Sequence, residues 1–254
     1  MLESILWGLV QGLTEFLPVS SSGHLRLIPD FFGVEPPDLA TSAVLHLGTL
    51  AAVLAYYRRD ILWILRDFRT DVRARRVAAM IVVASIPAVV AGLLFKDQLD
   101  RIQESADAVG LALIVTGIVL FVSGKVPRRE RTAEDVRATD ALAIGVAQAM
   151  ALLPGISRSG MTITTAVNRG LSDLESARFA FLMAVPVIAG GGLLEMADLA
   201  GSDALDLGVL VATIVAGLSG YWAISFLVRG LARWGLVPFA YYCLAVGALA
   251  VIVL

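Results

Sequence analysis

The chain has 254 residues, 58% hydrophobic and only 17% charged, with a formal net charge of −2. Soluble domains carry about 25% charged residues, and a mean hydropathy of +0.82 argues for a polytopic membrane protein instead of a soluble domain. The charge balance gives no sign of nucleic-acid binding, and the single cysteine, Cys243, excludes an intrachain disulfide and a Cys-based zinc site.

The first apolar segment, about 1–30, carries Glu3 where a cleavable signal would carry basic residues, so it is expected to stay in place. It is broken at Pro18 within GLVQGLTEFLPVSSSGHLR, residues 8–26. Gln11 and Glu15 lie four apart and share a helix face, with Trp7 one turn earlier. An acid at membrane depth is expensive and marks a functional site by default. Glu15 suits a divalent-cation ligand, a base, or a partner that orients His24; a bland alternative pairs it with Arg26. Ser20, Ser21 and Ser22 follow the proline, where one serine caps a helix and another is free for chemistry. The neutral-range pKa of a histidine suits His24 to proton transfer or to attack on phosphorus. Gly8 and Gly12 form a small-xxx-small helix-packing pattern.

A first full span is expected at 39–57. It contains His46, read as structural or at most supporting. The Arg-rich stretch 58–76 reads as a loop against anionic lipid heads with no catalytic part. Further spans are expected at 77–95 and 106–124. A second broken segment, 139–170, contains GVAQAMALLPGISRSGMTIT at 145–164. The Pro154-Gly155 break precedes Ser157, Arg158, Ser159 and Thr162. A helix that starts after such a turn points free N–H groups at an anion, and the Arg158 guanidinium is a fork suited to phosphate; a bland alternative has Arg158 only pairing with Glu15 for structure. Spans at 173–198, 206–228 and 236–254 complete the chain, and Cys243 reads as a small packing residue.

Broken helices survive at membrane depth only where protein or a water-filled cavity covers the freed backbone groups. The two broken segments are therefore read as re-entrant hairpins beside six spans. Lys and Arg number fourteen in the loops after spans one, three and five, against two on the other side. That places the first set in the cytoplasm, both termini outside, the first hairpin open outward and the second inward. Sliding the chain by 137 residues superposes Gly8, Gln11, Ser20, Ser22 and Gly23 on Gly145, Gln148, Ser157, Ser159 and Gly160. Five identities in these sixteen positions exceed the roughly one that composition supplies. The expected architecture is a single membrane domain, 1–254, built as an inverted-topology repeat of about 1–124 and 139–254. Such repeats place a site where their breaks meet.

The motifs resemble those of the undecaprenyl-diphosphate phosphatases, the bacitracin-resistance family. Gln11-Gly12-Leu13-Thr14-Glu15 fills its Glu/Gln-xxx-Glu pattern, residues 16–24 its FLPVSSxGH, and residues 154–162 its PGxSRSxxT. LMAVP at 182–186 is also similar. The resemblance implies six spans and two re-entrant hairpins. It also implies hydrolysis of a polyprenyl diphosphate to the monophosphate, for carrier-lipid recycling in cell-envelope synthesis. It further implies Mg²⁺ or Ca²⁺ dependence and a multi-pass plasma-membrane enzyme with its pocket on the outer face. By position, Glu15, Ser21, His24, Ser157, Arg158 and Thr162 are its functional residues. Glu15 is assigned to the metal; Gln11, Ser20, Gly155, Ser157, Ser159 and Thr162 are assigned to substrate. Gln11, where many members carry Glu, is a poor base or charged ligand. His24, Ser21 and water stay open as nucleophiles. A homodimer is compatible with this reading, and a lipid flippase without hydrolysis is the competing function.

Overall fold

A computed structural model describes residues 1–37, 39–103, 105–127, 129–198 and 207–254. Among these residues the chain is helical: α1 Leu2–Phe16, α2 Ser21–Phe32, α3 Leu39–Tyr56, α4 Arg58–Asp67, α5 Val72–Gln103, α6 Ala106–Ser123, α7 Ala138–Met150, α8 Arg158–Asn168, α9 Asp173–Asp198, α10 Leu207–Trp234 and α11 Val237–Val253. Strand pairing among them is limited to one bridge, Arg131 with Leu171.

Four helical stretches are long and apolar enough to cross a bilayer: Val72–Phe95, Ala106–Ser123, Asp173–Gly192 and Leu207–Trp234. Thr41–Tyr56 and Val237–Val253 are shorter apolar helices. The α6 helix shows why this is a membrane protein. It buries Gly110, Thr116, Gly117 and Ser123 and exposes Leu111, Val115, Ile118 and Val122. Its small and polar groups face the protein together with Val109, Leu113 and Leu120, while a further stripe of branched apolar side chains faces outward. Water would make such a surface a liability, whereas lipid does not.

The structure redraws some expected boundaries. The stretch 58–76 is not a loop. It forms α4, which buries none of its residues, and the start of α5. The second apolar span begins earlier than expected, at Val72, and ends at Phe95 as expected; the α5 helix continues past a kink at Phe95 (φ −120°, ψ 17°) to Gln103. Residues 199–206, including the first residue of the span expected at 206–228, lie outside the described residues.

Close helix approaches hold the bundle. A Cβ on Gly8 would sit 2.9 Å from Val215 Cβ, and one on Gly12 would run into Ser219 and Ala216, so the Gly8/Gly12 pattern is an α1–α10 contact. A Cβ on Gly145 of α7 would lie 3.0 Å from Pro87 Cδ of α5. The α6 and α11 helices meet along Gly110, Gly117 and Gly247.

One end of the bundle is tied by arginines. Asp140, at the start of α7, accepts from Arg131 at 2.7 Å and from Arg169, just past α8, at 2.8 Å. The two ends of the α7–α8 pair therefore meet. Arg178 of α9 gathers Asp60 of α4 at 2.7 Å, Glu134 at 2.9 Å and Glu175 at 3.0 Å. Burial pushes the Glu134 carboxyl up, but its own backbone amide and Arg178 outweigh this and hold it below the usual carboxylate range.

Candidate functional site

The breaks in α1–α2 and α7–α8 meet inside the bundle. Breaking a helix frees carbonyls that need donors, and neighbouring helices supply them. Ser159 Oγ donates to Leu17 O at 3.0 Å, Cys243 Sγ to Pro18 O at 3.5 Å, and Thr116 Oγ1 to Gly155 O at 3.0 Å. Thr116 Oγ1 also accepts from Ser157 N at 3.1 Å. Cys243, expected only to fill space, is thus a buried donor.

The two restarting helices have the same N-terminus. Ser20 Oγ caps Gly23 N at 3.3 Å and lies 3.3 Å from Ser22 Oγ. Ser157 Oγ caps Gly160 N at 3.1 Å and lies 3.2 Å from Ser159 Oγ. The amides of Ser21, Ser22, Arg158 and Ser159 have no acceptor within their own helices. Two helix N-termini converging on one place favour an anion there.

Ser20 reaches this geometry at a cost. Among the described residues it is the one non-glycine with positive φ (69°), a conformation costing on the order of 1–3 kcal/mol. Ser20→Gly removes that strain and sacrifices only a few tenths of a kcal/mol of cap, so it leaves thermal stability in detergent unchanged or higher. Ser20→Ala keeps the strained φ and loses the cap, lowering stability by about 1 kcal/mol. Equal losses in both variants would show that the backbone there is relaxed.

A cavity of about 320 Å³ opens between the breaks. Glu15, Ser20, Ser21, Ser157 and Arg158, all expected site residues, line it. Glu15 is the hub. Its Oε1 pairs with Arg158, and its Oε2 accepts from Ser21 Oγ at 2.6 Å and from Gln11 Nε2 at 3.1 Å. Gln11 stands behind Glu15 and orients it. Ser159 and Thr162 border a small adjoining recess with Glu15 and Arg158. Thr162 Oγ1 donates to Arg158 O at 2.8 Å, and Gly155 makes the turn at φ 92°.

His24 lies elsewhere. Its Nδ1 is 2.8 Å from Ser20 O, which makes Nδ1 the protonated nitrogen and Nε2 an acceptor. Tyr242 OH, at 2.7 Å, donates to Nε2, and the rings stack 5.6 Å apart. The anticipated Glu15–His24 contact is replaced by Glu15–Ser21. The alternative pairing of Glu15 with Arg26 is also not formed: Arg26 bridges to Asp30 within α2.

His46, read from the sequence as structural or at most supporting, and Gln148, given no role there, also line the cavity. His46 Nδ1 is held by Ser42 O at 2.8 Å. Nothing local to α3 signals its position, which depends on how α3 packs. Gln148 did carry a signal, since the repeat superposes it on Gln11.

The lining also contains Val187, Ile188 and Gly191 of α9. They lie about two and a half to three and a half turns beyond Arg178, roughly 14–20 Å along the helix, away from the arginine-tied end.

The Glu15 carboxylate with phosphate oxygens fits a Mg²⁺-type site, which draws one or two protein carboxylates plus substrate. No cluster of three or more His, Cys, Asp or Glu able to hold a metal occurs among the described residues.

Comparison with known proteins agrees with this chemistry. Three relatives are each named undecaprenyl-diphosphatase. That of Nocardioides sp. is 40% identical, over 97% of this chain and 94% of its own. That of Moorella thermoacetica is 39% identical, over 100% and 97%. That of Rubrobacter xylanophilus is 41% identical, over 98% and 96%. The family model described as bacitracin resistance protein BacA matches residues 4–249, and the chain belongs to that family.

Proposed function

We infer that this chain is a polyprenyl-diphosphate phosphatase. It hydrolyses undecaprenyl diphosphate to the monophosphate and inorganic phosphate, the recycling step for the carrier lipid of cell-envelope synthesis. The observation that carries the reading is the Ser21–Glu15–Arg158 constellation on a cavity where two helix N-termini converge. A carboxylate beside a hydroxyl, a guanidinium and free amides is suited to phosphoryl transfer.

In the mechanism we propose, Arg158 and the amides at the start of α8 bind the terminal phosphate. Ser21 Oγ attacks the terminal phosphorus and gives its proton to Glu15. The Ser21 O–P bond forms, the bridging P–O bond breaks, and its electron pair leaves on the polyprenyl monophosphate. Water then attacks the phosphoserine and the Ser21 O–P bond breaks. Glu15 returns the first proton to Ser21 Oγ, takes up the proton of the water, and passes it to the departing inorganic phosphate, which restores the carboxylate. Ser21 is favoured over His24 because it lines the cavity and contacts Glu15, while the His24 Nε2 lone pair is taken by Tyr242. A divalent cation, Mg²⁺ or Ca²⁺, belongs to this reading. Glu15 and phosphate oxygens would hold it, and it would neutralise charge on the phosphate.

The finer architecture belongs to the same proposal: six spans, α1–α2 and α7–α8 as re-entrant hairpins, and an inverted repeat of 1–124 with 139–254. Its support is reciprocal packing. Gly8 and Gly145, 137 residues apart, face Val215 and Pro87, 128 apart. Thr116 and Cys243 donate to the carbonyls of the opposite breaks. The meeting of Asp140 with Arg169 supports same-side entry and exit for the second hairpin. An outward-facing site in the plasma membrane is supported by the distance of the cavity from the arginine-rich end, which the charge bias assigns to the cytoplasm.

Purified full-length protein in detergent is expected to release inorganic phosphate from farnesyl or longer polyprenyl diphosphates with Mg²⁺, and to stop when EDTA is added. Well-folded protein that releases none, with Mg²⁺ or Ca²⁺, would favour the flippase instead.

A further inference from the structure

Gln148 stands in the last turn of α7 with its side chain buried to 1% exposure. It lines the cavity together with Glu15, Ser21 and Arg158. Both its Nε2 and its Oε1 lack a protein partner. Buried polar groups are almost always hydrogen-bonded, and the exceptions call for an explanation. An amide with neither end engaged is doubly unusual.

The repeat sharpens the point. Gln148 superposes on Gln11, and Gln11 uses its Nε2 on Glu15 at 3.1 Å. The position corresponding to Glu15 is Leu152. Gln148 thus has the same place on its helix but no carboxylate one turn on. Its amide is buried at the cavity wall with its hydrogen-bonding capacity unused by the protein. A structural role would be filled at less cost by an apolar side chain of the same length.

We propose that Gln148 is a phosphate-binding residue, whose Nε2 donates to a non-bridging oxygen of the bound diphosphate. Its Oε1 accepts from a water or a protonated phosphate oxygen in the same cavity. The amide is neutral and adds a directional donor beside the Arg158 charge in the same lining, without pairing with Glu15. It thereby discriminates a diphosphate correctly seated between the two breaks from an anion held by Arg158 alone. This inference rests on the diphosphatase reading above.

The test uses full-length protein in detergent, carrying Gln148→Glu or Gln148→Met. Two readouts are taken: KM and kcat on farnesyl diphosphate with Mg²⁺, and the rise in unfolding temperature caused by inorganic pyrophosphate. Hydrogen bonds to charged groups lead us to expect KM to rise about tenfold or more in Gln148→Met. Gln148→Glu is expected to rise further, because a carboxylate repels the phosphate. Both variants lose most of the pyrophosphate-induced stabilisation, as linkage requires when affinity falls. Ligand-free Gln148→Met unfolds at or above the wild-type temperature, since an unpartnered amide has been replaced by an apolar chain. KM and the pyrophosphate shift both staying within about twofold of wild type in folded Gln148→Met, on the tenfold scale expected of such a bond, would overturn the proposal. If Gln148→Glu fails to fold, Gln148→Met decides alone. If wild type hydrolyses nothing but is stabilised by pyrophosphate, and Gln148→Met removes that shift, the diphosphatase reading fails while Gln148 remains a phosphate ligand.

Discussion

Ser21→Ala is expected to lower phosphate release by about 10⁴-fold or more, the scale on which removing a nucleophile acts. The hydroxyl donates to Glu15 Oε2 at 2.6 Å, so a single contact both orients the attacking oxygen and gives its proton a destination. Rapid quench with a terminally labelled polyprenyl diphosphate should leave label on Ser21 in wild type and none in Ser21→Ala. His24→Ala should retain the label, because Tyr242 OH already occupies His24 Nε2. A labelled histidine, with Ser21→Ala within tenfold of wild type, would transfer the role to His24. No label in wild type, with only a modest loss in Ser21→Ala, would favour direct attack by water. Glu15→Gln belongs to the same experiment. It removes the proton acceptor, worth about 10²–10⁴-fold, and leaves Arg158 without its buried counter-charge.

Gly155→Ala should be among the most damaging single-methyl changes in the chain. The residue sits at φ 92°, and a Cβ there would lie 2.7 Å from Ala112 Cβ and press on the Val109 carbonyl. Backbone strain and overpacking together suggest a loss of about 3–5 kcal/mol. The damage extends into the site. Thr116 Oγ1 bridges Gly155 O at 3.0 Å and Ser157 N at 3.1 Å, and Arg158 follows at once. A shift of about 1 Å in a positioning group can cost 10²-fold in rate, so any folded fraction should be nearly inactive. Gly190→Ala is the control, because a Cβ there meets nothing within 4 Å. Thermal unfolding in detergent together with phosphate release reads both variants. Near-wild-type stability in Gly155→Ala would mean that the α7–α8 break can relax without disturbing α6.

Much of this site was legible in the chain because it is built from local chemistry. Proline breaks followed by Ser-rich caps announce helices that stop and restart, and both restarts appear where the spacing put them, with matching caps at Ser20 and Ser157. Glu15 and Arg158 were marked by the expense of charge in an apolar setting, and they are found paired. Boundaries were less legible where composition is ambiguous. The stretch 58–76 is dense in arginine and reads as a loop, yet α4 forms there because its apolar residues, such as Trp63, find a place beside Asp71 and Arg178.

What the sequence alone determined is the membrane class, the broken helices and the polar residues set on them, since hydropathy, proline and capping act over a few neighbouring residues. Tertiary structure decided which of those polar groups share a cavity. His24 follows the capping serines by only a turn, but its ring is turned to Tyr242, 218 residues away. His46 and Gln148 come from different helices and still line the cavity beside Glu15. The direction in which a side chain faces in a bundle depends on which helix packs against it, and no local spacing carries that information.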